Sequence, residues 1–241
     1  FIFLFCFLII NSLSRITYSQ KKSVPDNETS DFRILASNES FIEIEYKPDF
    51  KNDFDFSNSQ NSNIAKGNPD MKVRSFPVFL PAEKSNRIEI LESRFEDLAG
   101  VDIKPVPYYK LSDKSKNKQN KSEQEYVADY IKDGNAYSRN EFFPNLAAEY
   151  AGAGILRNKY LGYINLYPAI YNPVSNILRK FSYIRVRLTF GGSPVYSTKN
   201  LSREERIFFQ DLTINSGIAA NWSMPEFNGI KDNHVEKRVL E

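Results

Sequence analysis

Cysteine and histidine each occur once in 241 residues, tryptophan once and methionine twice. A single cysteine excludes an internal disulfide, and one Cys with one His excludes a Cys/His zinc site. An excess of charge of one sign is missing too: 32 Lys and Arg face 30 Asp and Glu, a formal net charge of +2. Such a balance carries no overall field to recruit nucleic acid or an anionic membrane. Gly 10 and Pro 12 are too few for a collagen-like or low-complexity chain. No apolar run approaches the roughly 20 residues that a membrane helix needs. What is plentiful is aromatic, with Phe 19 and Tyr 14. The length suits one large domain or two small ones, with a core that needs no covalent staples.

Residues 1–10, FIFLFCFLII, have the length of a secretory signal's apolar region. The usual Met and basic residues before it are missing, so residues 1–19 read as a signal peptide truncated at its start, cleaved between Ser19 and Gln20. The other readings of this run are a buried strand or a membrane anchor. With the signal removed, no stable membrane span is expected. Cys6 leaves with it, so the remaining chain offers no thiolate nucleophile. His234 stands among Lys, Asp, Asn and Glu and reads as a linker residue. No carboxylate pair or Ser/His/Asp set points to independent catalysis. Asp53 and Asp55 lack the glycine and closing glutamate of a calcium loop, so neither a metal nor a cofactor is expected.

Period-two alternation dominates the rest. It is clear in FIEIEYKP over 41–48, in RIEILESRF over 87–95, in YLGYINLY over 160–167, and in ILRKFSYIRVRLTF over 177–190. SFPVFLP over 75–81 is bracketed by prolines and suits an edge strand. Residues 101–109 read as a strand ended by Pro105 and Pro107. Residues 20–39 read as a flexible N-terminal segment and 49–70 as a long polar loop. Residues 122–140 are ambiguous, because Tyr126, Val127, Tyr130 and Ile131 fit helical spacing. Residues 110–121, KLSDKSKNKQNK, carry five lysines and no aromatic, an exposed loop that lacks the interleaved aromatics of a nucleic-acid site. Ser202 and Glu205 form a capping-box pattern, and Gly217 suits the end of the helix it opens. The fold expected is all-β, an antiparallel β-sandwich over 40–200. A connecting helix and linker follow over 201–241.

A longer pattern runs from Phe143-Pro144 through Gly152-Ala153-Gly154-Ile155-Leu156-Arg157-Asn158 to Tyr167-Pro168. It continues with Tyr171-Asn172-Pro173, Leu178-Arg179-Lys180-Phe181 and the alternating strand 184–190. With Phe76-Pro77-Val78-Phe79-Leu80-Pro81 upstream and 209–222 downstream, this resembles the pro-region of the gingipain family, secreted cysteine peptidases of Bacteroidetes-type bacteria. Ser75 stands where the family usually has Gly, and Phe143 where it has Tyr.

The resemblance implies an immunoglobulin-like or carbohydrate-binding-like sandwich between a signal peptide and a caspase-like cysteine peptidase domain. It implies a non-catalytic chain that keeps this peptidase latent and assists its folding. It also implies export to the periplasm by the signal, then through the type IX secretion machinery to the cell surface or medium. In the family an exposed loop with a basic residue blocks the cleft. Lys110, Lys114, Lys116, Lys118 and Lys121 are the candidates for that role, the other reading being a solvated insertion. Lys237-Arg238 is the candidate processing site, or else an ordinary dibasic pair of a charged linker. The partner expected is the chain's own downstream peptidase domain; no nucleic acid is expected. The competing functions are the pro-region of a type IX secretion sortase relative and an adhesion sandwich of an exported protein.

Overall fold

The computed structural model describes residues 31–49, 64–112 and 125–225. Two antiparallel sheets face each other. The larger holds β1 (Asp31–Ser37), β2 (Phe41–Lys47), β10 (Ile177–Thr189) and β4 (Arg87–Ala99), in that order. β9 (Ala169–Asn172) pairs with residues 177–180 of β10, while β2 pairs with residues 184–189. The smaller sheet runs β3 (Arg74–Leu80), β8 (Lys159–Leu166) and β7 (Ala148–Leu156). This is the all-β antiparallel sandwich with a C-terminal helix that the alternation predicts.

The alternation explains the core. In β10 and β2, Leu188 lies opposite Ile42, Val186 opposite Ile44 and Ile184 opposite Tyr46, all six buried. Phe76 and Val78 of β3 with Ile164 and Leu166 of β8 meet them from the other sheet. Such cross-strand and cross-sheet contacts are the main stabilising unit of a sandwich.

The same period places charge on the outer face. Glu43 is 3% exposed and receives Arg185 Nε at 2.6 Å and Arg187 Nη2 at 2.8 Å. Burial alone would raise the Glu43 carboxyl, but hydrogen bonds from the two arginines outweigh it and hold it below the ordinary glutamate value.

Register shifts near 182 and 91 let the two faces exchange roles along the sheet. Leu178 and Tyr171, opposite in register, belong to a second core with Met71, Ile103 and Ala169.

Several expectations need correction. The sandwich begins before residue 40: β1 lies inside the segment read as flexible and pairs with β2 along its length. Residues 101–104 form no strand; around them are only the bridge between Pro69 and Pro105 and a later strand, β5 (Tyr108–Leu111). The helical spacing at 126–131 is a strand, β6 (Tyr126–Asp129), preceding the short α1 (Gly134–Tyr137).

The C-terminal region is part of the domain and not a plain connector. The capping box opens α2 (Arg203–Leu212) as expected, with the Ser202 hydroxyl and the Glu205 carboxylate exchanging backbone hydrogen bonds. α2 ends at a Thr213 cap, and Gly217 sits inside α3 (Ser216–Ala219). β12 (Trp222–Ser223) then zips onto β11 (Val195–Tyr196), and Trp222 packs edge-on to Phe190 at 5.5 Å.

β3 is an edge strand, as its prolines predict, and the C-terminal region covers its free edge. Pro77 O accepts from Ile214 N at 3.0 Å. The buried Asn215 carboxamide accepts from Phe79 N at 2.9 Å and donates to Phe79 O at 2.8 Å. Phe209 closes over Phe79, rings 5.2 Å apart.

Two predictions arise from this packing. A Cβ at Gly191 would lie 2.1 Å from Lys84 O, a backbone atom in the turn where Ser85 has φ +66°. Gly191→Ala is therefore expected to cost about 3 kcal/mol, read as a lower urea midpoint at unchanged slope.

The second concerns alkaline pH. Burial pushes the hydroxyls of Tyr137, Tyr150, Tyr167 and Tyr171 above the ordinary tyrosine value. A raised folded-state pKa gives stability that is whole below about pH 10 and is lost as pH rises beyond it, because the unfolded chain releases protons first. Tyr183 and Tyr196 are raised too, so Lys159, depressed by burial and acting with the opposite sign, is outnumbered. The urea midpoint should hold from pH 7 to about 9 and fall steeply above about 10.

Candidate functional site

A hairpin stands on the second core. β5 pairs with β6 from Tyr108 opposite Asp129 to Leu111 opposite Tyr126. One further bond, Ser112 N to Glu125 O at 2.8 Å, carries the ladder to the neck of the intervening loop. A two-stranded hairpin is marginal in water by itself. This one is seated on a platform of crossed connections. Gly67 N donates to Val106 O (2.9 Å), Val106 N to Asn68 O (2.8 Å), Asp70 N to Lys104 O (3.0 Å) and Asp133 N to Gly67 O (2.9 Å). Gly67 is at φ +88°, and an added Cβ would lie 3.1 Å from Asp133 Cβ, so glycine suits both the conformation and the close approach. Tyr137 ties the platform down by donating to Ile103 O at 2.8 Å.

Apolar surface concentrates on this hairpin. Tyr109 and Tyr126 are each 62% exposed, and Tyr108, Val127, Tyr130 and Ile131 are exposed as well. Lysines lie over the rings at its base, Lys66 5.9 Å from Tyr108 and Lys104 5.5 Å from Tyr130. A clustered exposed aromatic surface on a rigid base marks an interaction site.

Of the lysines named from the sequence, Lys110 lies in β5. Its ammonium meets Asp129 at 2.9 Å, diagonally across the ladder. Lys114, Lys116, Lys118 and Lys121 lie outside the described residues, as do Ser19, Gln20, Lys237, Arg238, Cys6 and His234. Among the described residues no group of three His, Cys, Asp or Glu is placed to hold a metal. No helix there is long and apolar enough to cross a membrane.

Sequence reasoning missed the packing around β12. Lys159, 2% exposed, donates to Ala220 O at 2.5 Å and to Trp222 O. Its ammonium also lies over the rings of Phe79 (5.5 Å) and Phe209 (5.0 Å). Next to it, Asn158 O accepts from Met224 N at 2.7 Å, and Arg157 meets Glu205 at 2.9 Å. The tip of the β7–β8 hairpin thus clasps α2 and β12. A lysine at the head of an alternating strand gives no sign of this role, because its partners are backbone carbonyls 61 and 63 residues on.

The described residues thus form a two-sheet sandwich that carries an aromatic-rich hairpin and a clasped C-terminal strand, β12. The comparisons identify its kind. Residues 22–208 match the Propeptide_C25 family, and the chain belongs to that family as a pro-region of a gingipain-like peptidase. Gingipain R2 of Porphyromonas gingivalis is 25% identical over 223 residues, 86% of this chain and 28% of its own length. Gingipain R1 of the same species is 28% identical over 124 residues, 52% of this chain and 12% of its own. The chain therefore spans about a quarter of the first relative and an eighth of the second. The fold is similar to that in a solved complex of Porphyromonas gingivalis RgpB pro- and mature domains. There the TM-score is 0.57 at 20% identity, covering 77% of this chain and 97% of that one.

Proposed function

We propose that this pro-region keeps a downstream secreted cysteine endopeptidase latent and assists its folding, by holding the loop of the β5–β6 hairpin in the active cleft. The observation that carries this reading is the hairpin itself, with exposed tyrosines, a braced base and a lysine-rich connection. A primary pocket selective for basic side chains holds a carboxylate, which a long cationic side chain can reach and pair with. A ladder closed to Ser112 and Glu125 fixes both ends of the loop, so a bound loop is presented without being drawn through the cleft. Lys110 is engaged with Asp129 at the neck. An exposed ion pair of this kind is worth only about 0–1 kcal/mol and is readily exchanged for a pocket carboxylate, so Lys110, Lys114, Lys116, Lys118 and Lys121 are all candidates for the plug.

The route follows the same reading: signal cleavage between Ser19 and Gln20, type IX export to the cell surface or medium, and release at Lys237-Arg238. Sequencing the N-terminus of the matured enzyme tests the last step.

The main test replaces Lys110, Lys114, Lys116, Lys118 and Lys121 with serine and titrates the pro-region against its parent peptidase. A loss of inhibition of about 100-fold or more is expected, the scale of a truncated hot spot. Inhibition equal to that of the wild type would sink the proposal.

A further inference from the structure

The register of the β5–β6 ladder sorts the hairpin into two faces. Residues directly opposite in an antiparallel pair point to the same side, and successive residues to opposite sides. Tyr109 opposite Ala128 and Leu111 opposite Tyr126 make one face; Tyr108 opposite Asp129 and Lys110 opposite Val127 make the other.

The protein engages the second face itself. The Tyr108 hydroxyl donates to Lys66 O at 3.3 Å, the Lys66 ammonium lies over the Tyr108 ring, and Lys110 meets Asp129. The first face carries no charge. Its Tyr109 and Tyr126 are the two most exposed aromatic side chains among the described residues, and neither side chain makes a hydrogen bond or ring contact there. A hairpin of two strands is marginal in water with such a face uncovered.

Its size says what kind of partner covers it. Two strands about 4.8 Å apart and four residues rising about 3.4 Å each make a face of roughly 10 by 14 Å. Two such faces pressed together bury far less than the roughly 1,200 Å² of a stable interface, so a second copy of this chain meeting it here does not suffice. The partner is one whose contact continues past the end of the ladder. Leu111 and Tyr126 are the last ladder pair before the Ser112–Glu125 bond, so a protein that grips the hairpin's tip reaches Tyr126 first. Lys66 stands on the other side at the base, which leaves the Tyr109 face as the side of approach. Tyrosine suits the task, with a large rigid ring and a polar tip, and the ladder has already ordered both residues.

We infer that Tyr109 and Tyr126 anchor the downstream peptidase domain, packing their rings on an apolar stretch of its cleft rim with polar groups at its edge for the two hydroxyls. This rests on the latency reading above, which supplies the partner, but it assigns the contact to one face of the ladder and not to the lysines.

Binding of this chain to the parent peptidase with its catalytic cysteine replaced by alanine tests it, beside inhibition of the active enzyme. Tyr109→Thr with Tyr126→Thr should weaken binding by about 100-fold, the scale of truncated hot spots. Threonine suits a strand and both side chains are exposed, so the Ser112 amide should keep its exchange protection and the melting temperature should hold. Val127→Thr, on the other face, should shift binding by less than about 2-fold. Unchanged binding of the double tyrosine variant beside a binding wild type would overturn the inference, as would an equal loss in Val127→Thr. If the five-lysine variant still inhibits while the tyrosine variant fails to bind, the loop reading fails and the tyrosine contact stands. If the wild type does not bind the peptidase, both fall.

Discussion

Replacing Lys159 with alanine is expected to destabilise the domain by about 4 kcal/mol, close to 12 °C in melting temperature for a domain of this size. The effect has two sources. Alanine removes both donors from the Ala220 and Trp222 carbonyls, which follow α3 and have no onward helical turn to satisfy them. It also empties the space that the lysine stem fills beside Phe79 and Phe209.

Lys159→Met separates the two. Methionine keeps the volume, removes the donors and takes away a buried charge, so about half the loss is expected. The protonation state of the wild-type amine matters less than its position, since a neutral amine still carries two N–H groups for two carbonyls. Burial depresses its pKa, so this group's own contribution rises with pH just below the ordinary lysine value. Hydrogen exchange localises the damage: the Met224 amide, bonded to Asn158 O in the wild type, should exchange early in Lys159→Ala while the β2–β10 ladder stays protected. Chemical denaturation showing less than about 1 kcal/mol of loss in Lys159→Ala would remove the clasp from this account.

Such a role explains why the fold was only partly legible in the sequence. Where the signal is local, it reads well. Ile42, Ile44 and Tyr46, and Ile184, Val186 and Leu188, alternate because one face meets the core, and period two is a property of a single strand. Ser202 and Glu205 are three residues apart and cap one helix.

Where partners are far apart, sequence spacing is silent or misleading. Tyr126, Val127, Tyr130 and Ile131 fit helical spacing and leave 122–140 ambiguous, because apolar spacing normally reports a buried face. Here all four are exposed, so the spacing carries no information about a core, and the ladder with β5 decides the conformation. β1 was hidden because its strand character is supplied by β2. Residues 201–241 read as a connector from the sequence because a capping box marks a helix but not what the helix packs against.

The candidate site divides in the same way. The lysine run at 110–121 is plain in composition, as are the prolines that end the segment before it. The platform beneath it is built from backbone bonds among residues 67–70, 104–106 and 133, which no side-chain pattern records.

Asn215 makes the sharpest case, and Asn215→Leu should cost about 4 kcal/mol. Leucine keeps the branched shape of asparagine, but its methyl groups cannot approach Phe79 N and O as closely as the amide does, so some repacking adds to the loss. What it removes is a two-way pairing with one residue of an edge strand, 136 positions away: Phe79 N to Oδ1 at 2.9 Å and Nδ2 to Phe79 O at 2.8 Å. Both Phe79 groups point away from β8, and Asn215, 3% exposed, keeps water from them. Without the amide, a buried donor and a buried acceptor lose their partners together, at about 1–3 kcal/mol each. Asn215→Asp tests the mechanism more finely. A carboxylate still accepts from Phe79 N but turns its second oxygen toward Phe79 O, so only one of the two bonds survives and two acceptors face each other. Aspartate should therefore be nearly as damaging as leucine at pH 7 and should recover part of the loss near pH 4, where the protonated acid again donates. If Asn215→Leu melts with the wild type, or if Asn215→Asp shows no recovery in acid, the carboxamide is not what covers the free edge of β3.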